Sequence, residues 1–262
     1  MTELRLVQVD AFADRPFTGN PAAVMPLEQW LPDDTLQAIG QENNLSETAF
    51  TVPAGDGEAD YELRWFTPAV EVVLCGHATL ASGHVLIGER ERVRFRTRRA
   101  GLLEVARDGD GYKMSLPAWK PEPRPLPAVV AALGCRPVET LWHPQRYGLV
   151  LVETEEEVRA LQPDFKALAA EGDLLTIVTA PGRASDVVSR VFACGAGIDE
   201  DPVTGSAHAV LMPYWAERLG RNDAISFYQA SRRGGHLTGR LGGDRVILGG
   251  RCVTVIEGVM RI

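Results

Sequence analysis

The sequence predicts an α+β protein of two domains in which strands dominate. Three observations predict this class: polar and apolar residues alternate in the first half, prolines cluster near the middle, and each half has one uncharged helix-like run. At 262 residues the chain is long for one compact core, so two domains are expected. Hydrophobic residues at 45% and charged residues at 24% exclude a disordered, collagenous or coiled-coil chain.

The first half is expected to form strands joined by turns. Residues 4–9 are strand-like, and residues 93–97 alternate with the period of two that is typical of a half-buried strand. The segment 101–117 predicts two further strands around the turn Asp108 to Gly111. These patterns indicate antiparallel hairpins rather than βαβ units.

A domain boundary is expected in the segment 117–127, which holds five prolines among eleven residues and shows no periodicity. The predicted domains are therefore residues 1–116 and 117–262. The second domain is expected to open with one amphipathic helix that starts at a capping box of Thr154 and Glu157 and ends at Gly172.

The rest of the second domain is expected to form strands. Candidates are residues 174–180 and 186–193, followed by three short strands separated at Gly242-Gly243 and Gly249-Gly250. The paired glycines lack the strand-turn-helix context of a nucleotide-binding loop, so they are interpreted as turns.

The two uncharged runs, residues 75–86 and 204–215, each begin with a glycine turn and small residues. A helix without a polar face is buried on all sides. One such helix in each half suggests a duplicated domain built around central helices. Pro213 is expected to kink the second helix unless its neighbours absorb the distortion.

The starts of these helices, at Gly76-His77 and Gly205-Ser206, are candidate anion sites. Helix N-termini present unpaired N–H groups and a partial positive charge, and two together would suit a small carboxylate better than a nucleotide. The alternative is that the glycines and serine are cap residues that allow close packing.

Glu47 and Asp201 are the acidic candidates. Glu47 precedes the strand-like segment 48–52, where apolar surroundings would raise its pKa toward the range for proton transfer. The alternative for Glu47 is a solvated surface group. Asp201 ends an acidic loop that leads into the second buried helix, where N–H groups are expected to satisfy it, either in a site or as a cap.

His77 is a candidate acid, base or hydrogen-bond donor, with a satisfied core histidine as the alternative. His84 lies two turns further along the same predicted helix and is interpreted as packing. His208 is expected to face away from Ser206, and no acidic group has ligand spacing to it. No metal site is therefore expected.

Composition excludes several other classes. With 27 basic and 35 acidic residues the net charge is −8, which argues against nucleic acid as a partner. None of the three lysines is placed like a desolvated Schiff-base lysine, so no pyridoxal cofactor is expected. The four cysteines are far apart, which fits neither a zinc cage nor a disulfide scaffold.

No membrane partner is expected either. The longest nearly uncharged stretch, residues 65–87, contains a glutamate and a proline and cannot form an apolar spanning helix. The first ten residues carry both acidic and basic side chains, unlike a signal peptide. A cytoplasmic location is the resulting prediction.

Taken together, these residues resemble the PhzF family of phenazine-biosynthesis isomerase-like proteins and, through it, the diaminopimelate epimerase fold. The resemblance covers nearly the whole chain. The matching blocks are Asp10-Ala-Phe with Phe17-Thr-Gly-Asn-Pro-Ala-Ala-Val24, Asn44-Leu-Ser-Glu-Thr-Ala-Phe50, Arg64-Trp-Phe-Thr-Pro68 leading to Cys75-Gly-His-Ala-Thr-Leu-Ala81, and Glu200-Asp-Pro-Val-Thr-Gly-Ser-Ala207 leading to Pro213-Tyr-Trp215.

The resemblance implies two similar domains, each a bent, mainly antiparallel sheet or barrel around a central buried helix, with the active site in the cleft between them. It implies a homodimer that needs neither metal nor organic cofactor. It also implies that a glutamate moves a proton between carbons of a small unsaturated or cyclic acid. The residues that the motifs match are catalytic Glu47, His77 and Asp201, and substrate-binding Gly76, Gly205, Ser206 and Asn20.

Two alternatives remain at this point. A cysteine-dependent racemase or epimerase would need two opposed thiols, but only Cys75 stands at one of the matching positions. The other position falls in the segment 201–206, and Cys194 lies seven residues upstream. The second alternative is a non-catalytic homologue that binds a small ligand on the same fold.

Overall fold

The computed structural model describes residues 1–55 and 57–262 and divides the chain into two compact units. Unit 1 comprises Met1–Ser115 and Gly249–Ile262, and unit 2 comprises Leu116–Leu248. Strands dominate both units, so the predicted α+β class is confirmed. No helix in the described part of the chain has both the length and the apolar character to cross a membrane.

The described residues of unit 1 form eight strands and two helices before the chain enters unit 2. In chain order they are β1 (Glu3–Ala11), β2 (Asn20–Pro26), α1 (Asp33–Asn43), β3 (Glu47–Pro53), β4 (Tyr61–Phe66), β5 (Glu71–Val72), α2 (Gly76–Leu86), β6 (Arg92–Thr97), β7 (Leu102–Asp108) and β8 (Gly111–Pro117).

Unit 2 carries the remaining four helices. Its elements are β9 (Glu122–Pro123), α3 (Pro127–Leu133), β10 (Glu139–His143), β11 (Tyr147–Leu151), α4 (Glu155–Ala160), α5 (Phe165–Ala170), β12 (Leu175–Pro181), β13 (Val187–Ala193), β14 (Ile198–Asp201), α6 (His208–Leu219), β15 (Ile225–Gln229), β16 (Gly235–Gly242) and β17 (Arg245–Gly250). Short 3-10 turns lie at Cys194–Ala196 and Gly205–Ala207.

The last strand, β18 (Cys252–Arg261), belongs to unit 1. It pairs antiparallel with β1 from Glu3 opposite Arg261 to Ala11 opposite Cys252. The expected second domain, 117–262, is therefore wrong at its C-terminal end. The unit boundary near Ser115 lies close to the expected one, but the chain returns to the first unit for its final strand.

The helix expected from Thr154 to Gly172 is in fact two helices, α4 and α5. The capping box of Thr154 and Glu157 is confirmed. Leu161 leaves helical geometry, and Asp164 caps a new helix by accepting a hydrogen bond from the backbone N–H of Ala167. Pro163 lies between them, and a proline ring disfavours helical geometry in the residue before it.

Strand pairing follows the same order in the two units. In unit 1, β1 and β2 are antiparallel, β2 and β3 parallel, β3 and β4 antiparallel, β4 and β6 parallel, and β6 and β7 antiparallel. In unit 2, the series β10, β11, β12, β13, β15 and β16 repeats this sequence of pairings. The short strands β5 and β14 branch from β4 and β13 in the same way. The expected domain duplication is therefore visible in the topology.

An ion pair repeats with the topology. Arg64 on β4 pairs through two nitrogens with Glu71 on β5, and Arg190 on β13 pairs in the same manner with Glu200 on β14. In both units the guanidinium also lies over the phenylalanine two residues further along. Each pair fixes the short strand that leads into a buried helix.

The two predicted central helices are confirmed as buried elements. Residues 76–83 of α2 are all buried, and α2 packs against β1, β2, β3, β6, β7 and β18. Gly83 is required there, because a Cβ at this position would lie 2.4 Å from a methyl carbon of Val105. Helix α6 is buried from His208 to Ala216 and continues through Pro213 as a single helix.

Candidate active site

Cys75 and His77 are positioned by the start of α2. Cys75 has extended backbone geometry and is the residue before the helix, so Gly76 and His77 form its first turn. The hydroxyl of Thr79 donates to the carbonyl oxygen of Cys75 at 2.5 Å, which satisfies that buried group. Burial of this whole turn keeps the His77 side chain at 6% exposure.

Glu47 is positioned by the start of β3. Helix α1 ends at Asn44, whose left-handed conformation (φ 48°) turns the chain. Three residues later the strand begins, and Glu47 pairs in parallel register with Ala22 of β2. This register holds the Glu47 side chain at 12% exposure against the first turn of α2.

The structure brings Glu47 and His77 together, as the motif resemblance implied. The Nε2 atom of His77 lies 3.1 Å from Oε2 of Glu47. The two groups are within ion-pair distance, yet neither buried atom has a hydrogen-bond partner among the described residues. On the other side of the ring, Nδ1 lies 3.5 Å from Sγ of Cys75. Two buried polar atoms therefore face each other with bonding capacity left for a third group.

The three side chains of the cluster differ in how their surroundings affect their protonation. Burial, together with the neighbouring Glu47 carboxylate, raises the pKa of the Cys75 thiol to about 11, so the thiol is protonated at neutral pH. Burial acts to lower the pKa of His77, but the neighbouring Cys75 and Glu47 side chains outweigh it and raise this pKa well above its usual value. The cluster thus combines a carboxylate, a proton-bearing imidazole and an unionised thiol.

Asp201 lies in unit 2 at the end of β14, where it is buried. Its carboxylate accepts a hydrogen bond from the hydroxyl of Thr204. Gln229 ties this loop together, since its amide donates to the Asp201 carbonyl at 2.8 Å and accepts from the Thr204 N–H at 2.9 Å. Gln229 was missed at the sequence level, because a lone glutamine ending a strand carries no motif.

Gly205 and Ser206 form a short 3-10 turn that leads into α6. The phenol of Tyr147, the first residue of β11, lies near the side chain of Ser206, and burial raises the pKa of this phenol. The Tyr147 ring in turn lies against Trp119, with centroids 5.3 Å apart. Tyr147 was also missed by sequence reasoning.

His84, which was expected to be a packing residue, contacts the hydroxyls of Tyr112 and Thr254 through its two ring nitrogens.

Asn20 is buried as the first residue of β2 and lies opposite Ala11 of β1. The preceding Gly19 has φ +68°, and a Cβ there would lie 2.2 Å from the Ala11 carbonyl oxygen. The motif glycine is thus required for the tight turn that delivers Asn20 to the sheet.

The cluster in unit 1 also has the donor types of a metal site. One oxygen, sulfur and nitrogen atom from Glu47, Cys75 and His77 all lie within 4.8 Å of one another, and no other such group of three occurs in residues 1–55 and 57–262. No metal site was expected from the sequence. The pattern gave no sign of this cluster, because Glu47 reaches Cys75 and His77 only through the fold.

Comparison with known proteins agrees with this fold. A family model described as phenazine biosynthesis-like protein matches residues 9–258. A protein of Pseudomonas aeruginosa named as an uncharacterized isomerase is 49% identical over 265 residues, covering 99% of this chain and 100% of that protein.

Solved structures show the same relationship. A phenazine biosynthesis protein of the PhzF family from Enterococcus faecalis superposes with a TM-score of 0.93 and 44% identity, covering all of both chains. A predicted epimerase from Pseudomonas aeruginosa has a TM-score of 0.76 at 22% identity, covering 98% of this chain and 99% of that one, and shares the fold. The duplicated α+β fold and these relatives define an isomerase. The chain belongs to the PhzC-PhzF family of phenazine biosynthesis-like proteins.

Proposed function

We propose that the protein is a cofactor-independent isomerase that moves a proton on a small unsaturated or cyclic amino or hydroxy acid, with Glu47 as the acid–base group. The observation that carries this proposal is the buried contact between Glu47 and His77, 3.1 Å apart with no aligned hydrogen bond. A carboxylate next to an imidazole proton can accept a proton from carbon while the imidazole stabilises negative charge.

In the proposed reaction Glu47 removes a proton from a carbon next to a double bond or carbonyl group. The C–H bond breaks, an O–H bond forms on Glu47, and the electron pair enters the neighbouring π system. Glu47 then returns the proton to a different carbon, the double bond shifts, and the carboxylate is regenerated. His77 donates a hydrogen bond to the oxygen that gains charge. No oxidant, reductant or metal takes part.

Substrate binding is assigned to groups at both helix starts. The first N–H groups of α2, from Gly76 onward, suit a substrate carboxylate. Asn20, Asp201, Gly205 and Ser206 remain predicted substrate-contacting residues.

A two-thiol epimerase is less well supported. The position of unit 2 equivalent to Cys75 is Thr204, since each follows the ion-paired glutamate by four residues and precedes the helix-entry glycine. A threonine hydroxyl is a poor carbon base at neutral pH. The Cys75 thiol, with its pKa raised to about 11, is itself poorly suited to act as a thiolate base.

The test is hydrogen exchange in deuterated water over a panel of small unsaturated and cyclic amino and hydroxy acids. The Glu47→Gln variant keeps the size of the side chain but cannot accept a proton, so exchange should slow by about 100-fold or more. Glu42→Gln makes the same change at an exposed position on α1 and should exchange at the wild-type rate. Wild-type exchange by Glu47→Gln would refute the proposal. The family resemblance also predicts a homodimer, which light scattering would test.

A further inference from the structure

The cluster of Glu47, Cys75 and His77 has a binding capacity that proton transfer does not use. Cys75 has no role in the proposed reaction, although its sulfur touches the imidazole at 3.5 Å. Nε2 of His77 and Oε2 of Glu47 are buried without hydrogen-bond partners among the described residues. A buried carboxylate oxygen without an aligned donor is costly, so a cation that replaces the imidazole proton here would be stabilised.

We propose that the Glu47, Cys75 and His77 side chains form a binding site for a thiophilic divalent cation, with Zn²⁺ as the type ion, and that the bound ion inhibits the enzyme. Carboxylate oxygen, imidazole nitrogen and cysteine sulfur are the three donor types that Zn²⁺ takes from proteins. All three converge in one buried cluster in unit 1.

The separations suit such an ion after a small adjustment. Zinc–ligand bonds of about 2.0–2.3 Å place tetrahedral ligand atoms about 3.3–3.6 Å apart. The three donor atoms lie within 4.8 Å of one another, so closure of about 1 Å brings them into range. Rotation of the His77 ring, which lies between the thiol and the carboxylate, would supply much of that change. The fourth position is left for water or a ligand oxygen.

Binding releases protons and involves no redox change. A Zn–S bond forms as the S–H bond of Cys75 breaks, and its proton passes to solvent. The imidazole nitrogen that binds the ion must likewise be free of its proton. Burial disfavours the thiolate form of Cys75 and raises its pKa. The positive charge of the bound ion compensates for this cost.

Inhibition follows because a carboxylate bound to zinc cannot take a proton from carbon. This consequence rests on the proposed role of Glu47. Binding of the ion does not rest on that role, because it depends only on the three donor atoms.

The experiment is a zinc titration of the purified protein in competition with a chromophoric chelator, with three matched proteins. Wild type should bind one Zn²⁺. Cys75→Ser removes the sulfur donor with little change in size. Loss of an outer partner of a metal ligand costs about 10–100-fold in affinity, so loss of the ligand itself should cost at least about 100-fold. Cys135→Ser makes the same change at a half-buried thiol of unit 2 and should bind like wild type.

A second variant covers the case in which Cys75→Ser does not fold. Glu47→Gln removes the carboxylate and should also weaken zinc binding, with circular dichroism to confirm its fold. Equal zinc affinity in wild type and Cys75→Ser, or in wild type and Glu47→Gln, would overturn the proposal, as would the absence of binding by wild type. If zinc binds as expected but no acid in the panel exchanges hydrogen, the proposed function fails and the cation site stands.

Discussion

Cys75 and Thr204 occupy equivalent positions at the entrances of the two buried helices. The carbonyl oxygen of each is hydrogen-bonded by the side chain four residues later, Thr79 at 2.5 Å and His208 at 2.9 Å. Their own side chains differ in use, since the thiol contacts His77 and the hydroxyl donates to Asp201. The duplicated scaffold therefore carries a thiol at only one of its two helix entrances.

This difference predicts that neither buried cysteine is required for turnover. Cys75→Ala and Cys194→Ala should each retain activity within about tenfold of wild type, a barrier change below about 1.4 kcal/mol. Hydrogen exchange and optical rotation, measured with a chelator present, provide the check. A two-thiol epimerase would instead lose stereoinversion in both variants and keep it in Glu47→Gln.

Glu200 should prove structural, although it lies in the acidic loop that the sequence marked as a candidate. It forms two hydrogen bonds with Arg190, whose side chain is 12% exposed. Breaking a buried ion pair costs about 3–5 kcal/mol, and partial exposure of this pair reduces that to about 2 kcal/mol. Glu200→Gln should lower the free energy of unfolding by this amount in urea titrations, without a matching loss of turnover per folded molecule. The exposed neighbour Asp199→Asn is the control and should change stability by less than about 0.5 kcal/mol.

His208 should make the protein less stable in mild acid. Burial lowers the pKa of His208 from 6.5 to about 4, and its Nδ1–H donates to the Thr204 carbonyl. Between these two pKa values the unfolded chain binds a proton at His208 and the folded protein does not. The free energy of unfolding is therefore highest above pH 6.5 and falls as the pH drops toward 4.

The check is the free energy of unfolding at pH 7 and pH 4.5 for wild type and His208→Thr. Threonine is the residue that makes the equivalent bond in α2, at Thr79. Each unit of pH between the unfolded and folded pKa values of a histidine changes stability by about 1.4 kcal/mol. Over this interval the variant should therefore lose about 2–3 kcal/mol less than wild type. An identical loss in both proteins would contradict the role assigned to His208.

Tyr147→Phe should weaken substrate binding. The variant loses the phenol that lies near Ser206 but keeps the ring that lies against Trp119. Loss of one neutral polar contact costs about 0.5–1.5 kcal/mol, so KM should rise by about three- to tenfold with kcat less affected. An unchanged KM for every active substrate would show that Tyr147 does not hold Ser206 for binding.

Local features of the chain were predictable from sequence. The capping box at Thr154 and the two buried helices depend on residues close together in the chain, and they appear where the patterns place them. The break between α4 and α5 also had a local signal, since Pro163 and Asp164 are a helix breaker and a cap. The apolar periodicity that continues past them masked it.

Long-range pairings were not predictable in this way. Nothing in residues 252–261 indicates β1 as their partner, because register depends on the partner strand as much as on the strand itself. Gln229 lies 25 positions along the chain from Thr204, and Tyr147 lies about 60 positions from Ser206. A single polar side chain at such a sequence separation leaves no recognisable pattern. The proximity of Glu47 and His77 was predictable only through the family resemblance.

The return of β18 to β1 also dictates an order of assembly during synthesis. Thr2 and Ile262 exchange backbone hydrogen bonds of 2.7 and 3.0 Å, so β1 is completed by a strand that is made much later. Unit 2, which ends at Leu248, has all of its residues before β18 emerges, whereas β1 leaves the ribosome without one of its two neighbours. An uncovered strand edge invites pairing with other chains. A released chain that is truncated just before β18 should therefore contain a folded unit 2 and an aggregation-prone first half.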